Sequence, residues 1–225
     1  MSFKEMKIVE LKESILEDND ADAAVLRKEL GEKGITLINL MSSPGSGKTS
    51  TLLALAPYLQ EKIKWGVMEA DIDSDVDART MEAAGIPAIQ LHTGGMCHLD
   101  ADMTRQGLRA FGRDDLALIV LENIGNLVCP AEYDTGAALN MTILSVPEGD
   151  DKPAKYPLMY EVSQILVVNK TDTLPYFDFD REKMERDAKA CNPDIRIFYI
   201  SAKTGEGVAE LASYLLCAAG KKEEV

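Results

Sequence analysis

Histidine and cysteine are scarce in this sequence, whose 225 residues hold two of the first and four of the second. So few, so irregularly spaced, they make neither a disulfide framework nor a regular zinc module. Positive charge is also short: 24 Lys and Arg face 38 Asp and Glu, a formal net charge of −14. A chain this acidic has no broad attraction for nucleic acid or an anionic membrane, so any phosphate it binds must be held by local geometry. No apolar run approaches the roughly 20 residues that span a bilayer. The opening MSFKEMKIVELKES lacks a basic flank followed by an apolar block. The expectation is a cytoplasmic chain with reduced thiols, in which Cys97, Cys129, Cys191 and Cys217 serve as ligands, nucleophiles or core residues.

What is present is a rhythm. From Ile35 onward, short runs rich in branched apolar residues (ITLINLM, WGVMEA, AIQLHT, LALIVLEN, MTILSV, ILVVNK, IRIFYIS) alternate with segments of helical spacing, such as 49–59, 74–84 and 99–111. This predicts an α/β fold, a mainly parallel sheet covered by helices on both faces, with ligands at the carboxyl ends of the strands. Residues 34–220 form the expected main domain. Residues 1–33 read as a helical appendage of one or two short amphipathic helices, carrying Val9, Leu11, Ile15 and Leu16 and then Ala24, Val25 and Leu26. Residues 221–225, KKEEV, read as a solvated tail.

Between ITLINLM and the next helix lies SSPGSGKTS, residues 42–50. A strand, a glycine-bearing loop ending Gly-Lys-Thr and a helix are the context of a Walker A motif, and the expectation is a P-loop NTPase. Backbone amides from Gly45, Ser46 and Gly47 through Thr49 and Ser50 would face the phosphates, Lys48 would reach the β and γ oxygens, and the Thr49 hydroxyl would hold Mg²⁺. Ser42 stands where the pattern usually has its first glycine. Asp71 and Glu122, each ending a strand, would emerge beside the loop, where a carboxylate binds or orients hydrated Mg²⁺. Asp73 and Asp75 read equally as water-positioning groups or as solvated loop acids.

Two further strand ends carry NKTD (169–172) and SAK (201–203). Asp172 can accept hydrogen bonds from the N1 and N2 donors of guanine, whereas adenine would leave it unpaired. Asn169 and the stem of Lys170 would brace loop and base, and the Ala202 amide, between Ser201 and Lys203, would meet the guanine O6. In this order, downstream of a Walker A loop, these motifs resemble those of P-loop GTPases, with ENIG in place of the usual Asp-x-x-Gly. No glutamine follows that glycine, so intrinsic GTP hydrolysis to GDP should be slow and need completion by another group.

Half the histidine sits in GGMCHLDADM, directly after Cys97. Cys97 and His98 follow one strand and Cys129 another, on the side expected for the nucleotide, so the three can converge; thiolate and imidazole suit Zn²⁺ and Ni²⁺. Three ligands would leave an open site. By spacing alone, Cys97 and Cys129 also fit as small core hydrophobes and His98 as a hydrogen-bonded surface residue. His92 reads as a core or rim histidine, Met96 and Met103 as core filling, and Cys191 and Cys217 as packing residues of helices.

The run SSPGSGKTS, ADIDSDVDA, TGGMCHLDA, ENIGNLVCP, SVPEGDDKP and NKTD closely resembles the HypB family of SIMIBI-class P-loop GTPases, which assist nickel insertion into nickel-iron hydrogenase; the UreG family shares the loop but sets its Cys-His pair in a Cys-Pro-His context. The resemblance covers nearly everything from Ile35 to the last helix. It implies that Cys97, His98 and Cys129 bind nickel or zinc near a GTP- or metal-dependent homodimer interface, and that Lys48, Thr49, Asp71, Glu122, Asn169, Lys170 and Asp172 serve GTP, GDP and Mg²⁺. It also implies a HypA-type nickel-binding partner and a hydrogenase large-subunit precursor as client. The clustered cysteines or histidine-rich stretch that some members carry near the N-terminus are missing from residues 1–33, so the internal site must suffice or the partner must bring the nickel. A regulatory GTPase with structural cysteines and a metal-dependent dimerisation module are the competing classes.

Overall fold

A computed structural model of the chain describes residues 8–10, 19–71 and 75–220, the first three as backbone only. Eight strands make one parallel sheet: β1 (Ile8–Glu10), β2 (Thr36–Ser42), β3 (Trp65–Asp71), β4 (Ala88–His92), β5 (Leu118–Glu122), β6 (Leu139–Ser145), β7 (Ile165–Asn169) and β8 (Arg196–Tyr199), in the order β1-β4-β3-β5-β2-β6-β7-β8. The helices are α1 (Asn19–Glu32), α2 (Lys48–Leu59), α3 (Val76–Ala83), α4 (Ala101–Phe111), α5 (Cys129–Glu132), α6 (Lys152–Lys155), α7 (Pro157–Glu161), α8 (Arg181–Cys191) and α9 (Val208–Ala218). No helix among the described residues is long and apolar enough to cross a membrane.

Alternation along the buried strands sorts side chains onto two faces. Ile38, Val67, Val120, Met141 and Val167 pack under α2, α3 and α9. Leu37, Met68 and Leu121 meet Leu26 and Leu30 of α1 and Met103 of α4, while Leu144, Leu166 and Val168 meet α7 and α8 through Tyr160 and Met184. Both faces are therefore covered, as parallel strands with continuous apolar sequence require. Strand β2, which feeds the phosphate loop, lies between β5 and β6.

The N-terminal segment departs from a purely helical reading. Val9 lies in β1, which extends the sheet in parallel with β4 through the register Ile8↔Gln90, Val9↔Leu91, Glu10↔His92. An open edge of β4 offers unpaired backbone groups, and the branched pair Ile-Val favours extended backbone over helix. Ala24, Val25 and Leu26 lie in α1 as expected. Leu11, Ile15, Leu16, Asp73 and residues 221–225 lie outside the described residues.

Candidate functional site

Strand β2 ends at Ser42 and the chain turns through 43–47 into α2. Gly47 caps that helix in the left-handed region, φ 100°, and a Cβ there would lie 2.6 Å from Asn169 Nδ2, so no other residue fits. Asn169, buried at the end of β7, ties three segments together. Its Nδ2 donates to Ser46 O at 3.0 Å, and its Oδ1 accepts from the amides of Lys170 at 2.7 Å and Ala202 at 3.1 Å. Lys170 is the one non-glycine residue with positive φ among the described residues, and its Nζ donates to Gly45 O at 2.7 Å. Strained backbone thus sets an ammonium on the phosphate loop. Asp172 accepts from Ser201 Oγ at 2.7 Å and faces Lys203 Nζ at 3.8 Å. The Ala202 amide, expected to meet a base, is engaged by Asn169.

Support for the loop also comes from Glu148 in SVPEG. Its carboxylate accepts from the amide and hydroxyl of Ser145, each at 2.7 Å, and from Ser43 Oγ at the start of the phosphate loop. The sequence reading gave Glu148 no role. The capping-box spacing Ser-x-x-Glu was the available signal.

On the other side of Lys48 is a buried acidic cleft of about 50 Å³, lined by Lys48, Glu69, Asp71, Asp77, Gln90 and Glu122 among others. Lys48 Nζ stands 3.7 Å from Glu122 Oε1. Period-two alternation puts Glu69 two residues beyond Val67 and Glu122 two beyond Val120, and the parallel register sets the two carboxyls opposite each other. They hydrogen-bond to each other. Burial, then the neighbouring Glu122, holds the Glu69 carboxyl well above its usual range, and burial raises Glu122 against the opposing pull of Lys48. Glu69 Oε1 and Glu122 Oε2 are left buried without a hydrogen-bond partner. Hard oxygen donors with unused lone pairs, beside Asp71, fit a hydrated Mg²⁺.

The thiol corner lies at the same sheet end. After β4, Gly94 (φ 64°) and Gly95 (φ 100°) make a tight turn closed by Thr93 Oγ1 donating to Met96 O at 2.8 Å, which is why a Gly-Gly pair precedes Cys97. Cys97 Sγ lies 3.9 Å from His98 Nδ1, and its thiol hydrogen-bonds with Cys129 at the start of α5. That bond, reinforced by burial, raises the Cys97 pKa. The His98 ring stacks on Tyr133, centroids 3.6 Å apart. Among the described residues no group of three or more His, Cys, Asp or Glu side chains is arranged to hold a metal ion. The structure therefore pairs the thiols and leaves the imidazole beside them, without closing a ligand set. Gly125, between Glu122 and Cys129, rests on Pro44 of the phosphate loop, where a Cβ would come within 3.0 Å of Pro44 Cγ.

With this geometry in view, comparison with known proteins decides the family. Residues 36–199 match the family described as CobW/HypB/UreG, nucleotide-binding domain. Hydrogenase maturation factor HypB of Azotobacter chroococcum mcd 1 is 41% identical over 213 residues, spanning 95% of this chain and 70% of that protein. The chain belongs to the HypB family. The crystal structure of HypB from Helicobacter pylori in complex with nickel superposes with a TM-score of 0.84 at 34% identity, covering 92% of this chain and 99% of that one. The hydrogenase maturation factor HypB from Archaeoglobus fulgidus gives 0.83 at 35% identity, covering 91% and 100%. As a HypB-family P-loop GTPase, the protein binds GTP and GDP with Mg²⁺ and hydrolyses GTP.

Within this HypB-family protein the structure gathers Gly45, Ser46, Gly47, Asn169, Lys170 and Ala202 into one bonded unit and brings Asp71, Glu122 and Lys48 to one cleft. Thr49 is half-buried in the first turn of α2 and Ser50 exposed beside it. Asp75 pairs with Arg79 on α3. His92 is buried at the end of β4, and Met103 is core. Cys191 is half-buried, its thiol donating to Asp187 O at 3.3 Å. Cys217 overturns its packing expectation: it is exposed on the outer face of α9, because Leu215 and Leu216 take the inward positions of that turn. Glu69, which sequence reading passed over, is as central to the cleft as Glu122.

Proposed function

We propose that the protein is a GTP-hydrolysing metallochaperone that assists nickel insertion into nickel-iron hydrogenase, with a soft-ligand site of Cys97, His98 and Cys129 whose state follows the bound nucleotide. Residues 34–220 act as the GTP- and metal-binding domain, residues 1–33 as its appendage and 221–225 as a tail, in the cytoplasm. Amides from Gly45 to Ser50 cradle the phosphates, Lys48 leaves Glu122 for the β and γ oxygens, and Thr49, Asp71 and Glu122 hold Mg²⁺. When bound, that ion neutralises charge on the phosphate oxygens. Asn169, Lys170, Asp172, Ser201, Ala202 and Lys203 select and seat the guanine.

The observation that carries this reading is the short path from loop to thiols: Pro44 against Gly125, with Glu122 three residues before it and Cys129 four after. Movement of Lys48 and Glu122 on loading γ-phosphate is therefore transmitted to Cys129 and, through the paired thiols, to Cys97, a switch built from ordering of adjacent loops. Two thiols and one imidazole make an open site for Ni²⁺ or Zn²⁺, which suits transfer, and a second copy of the chain completes it in a homodimer. A HypA-type donor and the hydrogenase large-subunit precursor flank this step.

The test is titration of the purified protein with Ni²⁺ in GDP and in a non-hydrolysable GTP analogue, following affinity and oligomeric state together. Affinity and dimerisation should differ between the two nucleotides, and C97A should lose stoichiometric binding while retaining GTP turnover. Equal affinity and equal association in both states would overturn the proposal.

A further inference from the structure

The two segments that bring Cys97–His98 and Cys129–Tyr133 together are spanned by a side chain from the N-terminal helix. Asn19, the first residue of α1, is 7% exposed. Its Oδ1 accepts from the Ala101 amide at 2.9 Å, and its Nδ2 donates to the Asp134 carbonyl at 3.0 Å. Ala101 opens α4, three residues after His98, where first-turn amides have no partner within their own helix. Asp134 directly follows Tyr133, the ring under His98. Arg27, two turns along α1, fastens the same segment: its Nε donates to Ala137 O at 2.7 Å and its Nη2 to both Asp134 carboxylate oxygens, at 2.6 and 2.7 Å.

We infer that Asn19 is a positioning residue for the thiol corner, its one amide fixing the distance between the Cys97–His98 turn and the Cys129–Tyr133 segment from outside the site. An amide accepts at its oxygen and donates from its nitrogen, two atoms set apart, and the geometry uses both functions. Helix α1 thereby sets how the soft ligands face one another, although it contributes none of them. The inference rests on the reading of Cys97, His98 and Cys129 as the metal-holding groups.

The full-length chain loaded with GDP is titrated with Ni²⁺, reading affinity and the thiolate-to-nickel charge-transfer absorption, with kcat and KM for GTP measured in parallel. Asn19→Ala should weaken Ni²⁺ binding about tenfold, as loss of an outer supporting bond does at metal sites, and should shift the absorption while leaving the KM for GTP unchanged. Asn19→Asp, equal in size but with a carboxylate against the Asp134 carbonyl, should lose at least as much, which excludes a simple cavity effect. Variants that melt lower yet keep the unaltered affinity and spectrum overturn the inference. Should both fail to fold, Arg27→Ala carries the same expectation, and an unaltered spectrum in it is equally fatal. C97A separates the two claims. If the unaltered chain shows no absorption that C97A removes, the site reading falls and this inference with it; if it does, and the Asn19 variants match it, this inference alone falls.

Discussion

At Gly47 the left-handed backbone and the Asn169 amide 2.6 Å from the absent Cβ position leave no room for even a methyl group. Gly47→Ala should strain the turn by about 1–3 kcal/mol and push Asn169 off the Ser46 carbonyl, so the melting temperature should fall and guanine-nucleotide affinity should drop by more than about tenfold. A variant that binds GDP normally would show the loop to be softer than its bonding implies. Residues of this kind are legible in sequence because the chemistry demands a fixed order: glycine, lysine, threonine after a strand. Asn169, Lys170 and Asp172 were legible for the same reason, although which loop carbonyl Asn169 braces, that of Ser46, is information only the fold carries. Glu69 was not legible. Its neighbours read as a buried strand, and a glutamate there declares itself only when the β3–β5 register places it opposite Glu122.

Elements show the same division. Seven of the strands, β2 to β8, announce themselves as apolar runs because both faces are buried, and α2, α3 and α4 as amphipathic segments between them. Strand β1 did not, since three residues have no period to read and their pairing is decided by the open edge of β4. The short helices α5, α6 and α7, each with a proline at its first or second position, were equally invisible. Helix α8 is held by a device that titrates. Asp180 caps it by accepting from the Lys183 amide at 2.9 Å, while Asp150 accepts from Lys183 Nζ at 2.6 Å and from the Asp180 amide at 2.9 Å. The Lys183 hydrogen bond, then the amide, holds the Asp150 carboxyl below its usual range. A carboxyl with a lowered native pKa leaves the folded chain with fewer protons than the unfolded one. The contribution is therefore present above the ordinary Asp range and is lost as pH falls through the lowered value. Asp150→Asn should lower the melting temperature by roughly 1–3 °C at pH 7, a small effect because the pair is partly solvated. That gap should close in acid; a gap independent of pH would assign it to geometry rather than charge.

For the whole molecule, the acidic surface makes local recognition of phosphate the only route to a nucleotide, and binding to the folded state alone must raise stability. Saturation with GDP and Mg²⁺ at about 100 times the dissociation constant should add about 2.7 kcal/mol, which for a chain of this size is a rise of roughly 5–10 °C. ADP should produce none of it, and Asp172→Ala should erase the difference between the two. An equal shift with ADP would remove guanine selectivity from the account. Fold class and the identity of the nucleotide were both readable from one dimension, because each is written in contiguous motifs. The approach of Cys97 to Cys129 was foreshadowed by their places after two strand ends; the bridge from Asn19 was not, because it depends on which loops a folded sheet sets side by side.

The strand order has a consequence during translation. Strand β2 sits at the centre of the sheet, yet both its neighbours are made later, and Asn169, which shapes the turn after it, is about 120 residues further on. At roughly 5–20 residues per second, a ribosome has made the glycine-rich turn on the order of ten seconds before Asn169 exists to hold it. Products that stop before Asn169 therefore lack the side chain that ties the Ser46 carbonyl down.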